Sequence, residues 1–65
     1  MDSTKTKVNR VILQLAKEFG NIIPVVEIHR ILPEIDTKKI HKAISDLQDE
    51  GLVSRIDKQT IQVNL

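Results

Sequence analysis

Apolar positions change rhythm along this chain, and the changes mark its elements. Val8, Val11, Ile12, Leu15, Ala16 and Phe19 recur at the spacing that puts one apolar stripe on a helix. Gly20-Asn21 ends that helix, because glycine takes the left-handed cap conformation without a Cβ penalty. Ser3 or Thr4 can cap its start. The polar run from Met1 to Lys7 reads as a flexible lead-in, with the folded domain spanning 8–65. Ile22-Ile23 is a short β-branched pair. Pro24 follows where a helix can begin, since it has no amide to satisfy. Val25, Ile28, Ile31 and Leu32 then predict a second helix of about two turns. Pro33 stops it by pushing the preceding residue out of the α region. After the tight connection Pro33-Glu34-Ile35, Asp36 or Thr37 caps a third helix. Its buried face is Ile40, Ala43, Ile44 and Leu47, and Gly51 closes it.

The chain beyond Gly51 alternates with period two. Leu52, Ser54 and Ile56 point one way, and Ile61, Val63 and Leu65 form the matching set after a turn at Asp57-Lys58-Gln59-Thr60. Pairing Ile56 with Ile61 puts all six on one face of a hairpin, leaving Val53, Arg55, Gln62 and Asn64 on the other. The order is helix, short strand, helix, turn, helix, hairpin. It predicts a mainly helical α+β domain.

The run Ile44-x-x-Leu47-x-x-x-Gly51-Leu52-Val53-x-Arg55 resembles the junction between recognition helix and wing in many bacterial and archaeal transcription regulators. The segment from Val8 to Leu65 as a whole is similar to a three-helix winged helix-turn-helix domain with a C-terminal β-hairpin wing. The resemblance implies that the helix from Thr37 to Glu50 enters the major groove of double-stranded DNA with its N-terminal residues on base edges. It also implies a transcriptional regulator, cytoplasmic and nucleoid-associated, working as a homodimer on two half-sites. Winged helices serve as protein-docking modules of replication or transcription complexes too, so a protein partner is the alternative.

Charge placement bears on that choice. The third helix carries Lys38, Lys39 and Lys42 in its first half and Asp46, Asp49 and Glu50 in its last turns. The helix dipole favours the reverse order, at about 0.3–1 kcal/mol per charge. An external phosphate would compensate, but a solvated face tolerates the same cost. At about 100° per residue, Lys38, His41, Lys42, Ser45 and Asp49 project away from the apolar stripe. Lysine can neutralise phosphate or donate to guanine, and serine and histidine can make single hydrogen bonds. Thr37, Lys38, Lys39, His41, Lys42 and Ser45 are therefore the candidate DNA-binding residues on this helix. Arg55 and Lys58 of the hairpin complete the set, with Lys58 at the tip and Arg55 free either to meet DNA or to pair with Glu50 or Asp57. Lys5, Lys7 and Arg10 form a second basic cluster, a phosphate-seeking arm or a solubilising tail. Leu13 and Val26 lie off the apolar pattern and are the candidate dimer contacts.

Composition narrows the rest. Sixty-five residues with 40% apolar content, rich in isoleucine and leucine, suffice for one aliphatic core, and such a small domain gains from efficient packing or a partner. There is no cysteine, hence no disulfide or thiolate metal site. Ten basic against nine acidic residues give +1, so nucleic-acid binding would rest on local charge placement. No apolar run approaches the roughly 18 residues of a membrane span. His29 and His41 fall on different helices without cysteine or carboxylate ligands at metal spacing. No phosphate loop or nucleophile motif is present. Neither enzyme, metal site nor cofactor is expected.

Overall fold

The structure, a computed structural model, describes residues 3–64. Met1, Asp2 and Leu65 lie outside the described residues, and with them the start of the polar lead-in and the last position of the expected apolar hairpin set. The elements run α1 (Thr4–Phe19), β1 (Ile22–Pro24), α2 (Val25–Ile31), α3 (Thr37–Asp49), β2 (Val53–Asp57) and β3 (Thr60–Val63). This is a mainly helical α+β domain with one antiparallel sheet in the order β1-β3-β2.

Helix α1 begins three residues after the start of the chain because Ser3 caps it, its hydroxyl accepting from the Thr6 amide. The boundary drawn at Lys7 from polarity therefore falls inside the helix, and Thr4–Lys7 form its first turn. Val8, Val11, Ile12 and Leu15 are buried, whereas Phe19, the last residue of the expected stripe, is half-exposed. The helix ends there at Gly20, so the core has no neighbour for that turn. Pro24 closes β1 and stands just before α2 rather than within it. Val25 and Ile28 are buried, but Ile31, expected on the same stripe, is exposed on the final turn. Ile23, Ile40, Ala43, Ile44, Leu47, Ile61 and Val63 are buried as the periodicity requires and, with Val53, fill the core with the α1 stripe.

Two caps fix α3. The Asp36 carboxylate accepts from the Lys38 amide at 3.0 Å. At the other end Leu52 donates to the Leu47 carbonyl and Gly51 to the Gln48 carbonyl, both at 3.0 Å. That pair of bonds is the Schellman closure, which places its penultimate residue in the left-handed region. Gly51 has φ of 80° with open space around a notional Cβ, so the demand is on the backbone alone. Gly51→Ala is expected to cost about 1–2 kcal/mol, read as a lower urea midpoint with an unchanged m-value.

The hairpin register differs from the sequence expectation by one residue on β2. Val53 pairs with Val63 and Arg55 with Ile61, and the ladder then shifts so that Asp57 pairs with Thr60, leaving Ile56 as the extra residue of a bulge. Val53 is therefore buried while Leu52 and Ile56 are exposed. The cause lies in α3: the Schellman closure uses Leu52, and strand alternation starts only at Val53. Since a one-residue slip exchanges the faces of a strand, Arg55 moves to the side that meets α3.

Candidate functional site

Helix α3 presents three bands to the outside. Lys38, Ser45 and Asp49 are exposed along its outward line. His41 lies to one side, toward α2 and the hairpin, where it lines a groove of about 390 Å³ with Val26, His29, Lys58, Gln59 and Thr60. Lys39 and Lys42 lie to the other side, where they line a shallower depression with Ser3, Thr4 and Lys5 at the start of α1. Thr37 is exposed in the first turn. The expected residues of α3 thus divide between an outward line and two flanks, with Lys58 beside His41 on the hairpin flank.

Backbone bonds hold that edge. The Gln59 carbonyl accepts from the Val25 amide at 2.8 Å, satisfying the first amide of α2. The Asp57 carboxylate accepts from the Gln59 amide at 2.8 Å, which tightens the Lys58-Gln59 turn. A proline could not replace Gln59 without losing that bond. Lys58 is consequently placed by a turn pinned to α2 rather than by a free loop.

The acids of α3 are partly answered within the fold. Lys5 pairs with Glu50 across the α1–α3 contact, and that hydrogen bond is the main reason its ammonium is held above the ordinary lysine value. Lys5 is therefore engaged inside the domain, contrary to a reaching arm. Lys42 and Asp46 are 3.9 Å apart at i,i+4 spacing, a pair whose worth in such exposed positions is about 0.3–0.5 kcal/mol.

Arg55 meets His41 rather than Glu50 or Asp57, the acids open to it in sequence. Its Nη1 lies 3.4 Å from His41 Nδ1. Because a guanidinium only donates, Nδ1 must accept and the ring proton of neutral His41 sits on Nε2. His29, separated from His41 in the sequence reading, comes to it here: the two ring centroids are 6.1 Å apart, tilted by 58°. Spacing within either helix gives no sign of this, since it arises from how α2 and α3 pack. Among the described residues no three His, Cys, Asp or Glu side chains come together to hold a metal ion.

Burial first, then the charge of Arg55 and the adjacent His29, hold the His41 imidazole below the ordinary histidine value of 6.5. The unfolded chain then binds this proton more readily than the folded one, so stability rises with pH through that interval and falls as pH drops below about 6.5. Thermal melts are expected at lower temperature near pH 5 than near pH 7, with the difference reduced in His41→Gln; an unchanged difference would remove His41 as a cause.

The candidate dimer contacts are not brought into an evident common patch. Leu13 is 45% and Val26 65% exposed, but Val26 lines the His29–His41 groove and so borders the outward surface of α3. No helix among the described residues is long and apolar enough to cross a membrane. Compared with known proteins, the chain matches no family model, no curated protein and no solved structure. Its functional reading therefore rests on its own geometry.

Proposed function

We propose that the chain is a winged helix-turn-helix domain that binds double-stranded DNA, acting as a transcriptional regulator with α3 in the major groove and the β2–β3 hairpin as its wing. The observation that carries this reading is the exposure of Lys38, Lys39, Lys42 and Ser45 around the outward side of α3, with His41 and Lys58 together on its hairpin flank. Helix α3 has 13 residues, about 20 Å of length at about 1.5 Å per residue. A helix of that kind fits a major groove about 12 Å wide. Its leading end carries the lysines, and the Asp49 end would be repelled by phosphate, so the helix enters N-terminus first. Lys39, Lys42 and Lys58 flank the face and suit backbone phosphates. Lys38, at the leading end, meets a further phosphate, and Thr37, His41 and Ser45 are the groups for base edges. Arg55 acts through His41 from the hairpin side. A homodimer is the expected assembly, with Leu13 as its candidate contact.

Titration of a labelled duplex tests the proposal. Affinity should fall with salt at a log–log slope of about −0.9 for each phosphate neutralised. Saturable binding with no salt dependence, or no binding at low salt, would overturn it.

One observation favours docking to a protein instead. Phe19, Ile22, Leu52 and Ile56 are large apolar side chains left exposed, on a domain of formal charge +1. None lies on the outward face of α3. In that reading Leu52→Ser and Phe19→Ser would abolish capture of a replication or transcription protein while Lys38→Ala would not.

A further inference from the structure

The groove between α2, α3 and the Lys58-Gln59 turn has a chemical composition that duplex binding by α3 does not require. Three separate elements bring His29, His41 and Lys58 to it, with Gln59 and Thr60 on the same lining. No carboxylate lines it among the described residues. Behind His41, Arg55 adds a fourth group able to carry positive charge, its guanidinium directed at the imidazole. Groups of one sign gathered without a counter-charge are unfavourable unless one of them stays neutral or an anion joins them. The free protein takes the first course, with His41 neutral and accepting from Arg55. The volume of about 390 Å³ equals roughly a dozen waters at about 30 Å³ each, ample for a hydrated tetrahedral anion.

We propose that this groove is a binding site for a tetrahedral oxyanion of the phosphate class, held by His29, His41 and Lys58, and that binding carries a proton onto His41. Protonated His41 can no longer accept from Arg55. The ring then donates from both nitrogens, and Arg55 is released to add its charge. The anion supplies the counter-charge that the free groove lacks, so anion and proton bind together. The groups facing His41 are His29 from α2, Arg55 from β2 and Lys58 from the turn, with Lys38, Lys42 and Ser45 flanking it on α3. The Lys42 charge is partly answered by Asp46; on the groove side the Asp57 carboxylate is bonded to the Gln59 amide of the turn and does not line the groove. The inference does not depend on duplex binding, since a free phosphorylated ligand and a DNA backbone phosphate share this chemistry.

Sulfate is the probe, because it keeps its charge across the pH range in which histidine titrates. Sodium sulfate is exchanged for sodium chloride at constant ionic strength, near pH 5.5 and near pH 7.5, on either side of the ordinary histidine value. The His29 and His41 ring resonances and the Lys58, Gln59 and Thr60 amides should shift saturably. Affinity should rise by up to about tenfold per pH unit on acidification. His41→Gln should retain the fold, judged by its amide spectrum, and lose that pH dependence. Lys58→Gln should weaken sulfate at both pH values. No saturable shift near pH 5.5, or an unaltered pH dependence in His41→Gln, would overturn the proposal. Adding duplex to the sulfate-loaded protein identifies the natural source: displacement assigns the site to a backbone phosphate, and simultaneous binding assigns it to a small phosphorylated ligand. Sulfate binding by a protein that ignores duplex would keep the groove site and remove the DNA reading.

Discussion

Replacing Lys38 and Lys42 together by alanine is expected to lower duplex affinity on the order of fifty-fold at about 0.1 M salt and to flatten the salt slope by about two phosphate equivalents. The estimate follows from counterion release: each lost phosphate contact removes about 0.9 from the log–log slope, or close to one decade of affinity at that salt. Lys42 is available for such a contact despite Asp46, because breaking an exposed pair of this kind costs only about 0.5 kcal/mol. Both side chains are exposed on α3, so the double variant should melt like the parent. Lys17→Ala, at the far end of α1, removes one lysine charge from another surface and should leave affinity and slope nearly unchanged. Fluorescence anisotropy against one duplex at four salt concentrations separates these outcomes. Equal losses in Lys17→Ala and in the double variant would show non-specific charge attraction and remove α3 from the contact.

The second large effect concerns the hairpin. Val53→Asp is expected to unfold most of the protein at 25 °C. It places a carboxylate where Val53 is 2% exposed, and an unpaired buried charge costs several kcal/mol beyond the lost apolar burial. A 65-residue chain has about 3–10 kcal/mol of stability in total. Ile56→Asp, at the bulge and 50% exposed, should cost less than about 1 kcal/mol. Circular-dichroism melts of the two variants distinguish the registers. A folded Val53→Asp beside an unfolded Ile56→Asp would restore the pairing of Ile56 with Ile61.

That pair of variants also shows where the sequence stops being readable. The stripe Ile40, Ala43, Ile44 and Leu47 was legible because four positions at helical spacing all face one way, and each is buried. The caps were legible to within one residue, Ser3 or Thr4 and Asp36 or Thr37, because these residue types offer an acceptor to an open amide, and the structure selects Ser3 and Asp36. The hairpin was legible as a hairpin, but its parity was not. Counting alternation from Leu52 ignores that a glycine-closed helix uses the residue after the glycine, and the bulge at Ile56 then hides the error by restoring a plausible turn. Reading Gly51 first as a Schellman residue would have started the strand at Val53.

The outward residues of α3 were legible by the same helical geometry that identified its buried face. Their neighbours were not. For Arg55 the sequence leaves open DNA or a pairing with Glu50 or Asp57, whereas the one-residue shift turns it onto His41. For Lys5 the sequence offers an arm or a solubilising tail, yet the start of α1 lies beside the end of α3 and gives it to Glu50. His29 and His41 were set apart because they belong to different helices. The fold brings the two rings to 6.1 Å, an approach that spacing along the chain does not express.

Duplex binding as proposed requires α3 and the Lys58-Gln59 turn to be the surface that meets DNA. Amide chemical-shift mapping during a duplex titration tests this most directly. The largest perturbations should fall on Thr37, Lys38, Lys39, His41, Lys42 and Ser45 and on Lys58 and Gln59, with Phe19, Ile22 and Leu52 nearly unmoved. Perturbations centred on Phe19, Ile22 and Leu52, or none at any residue, would contradict it.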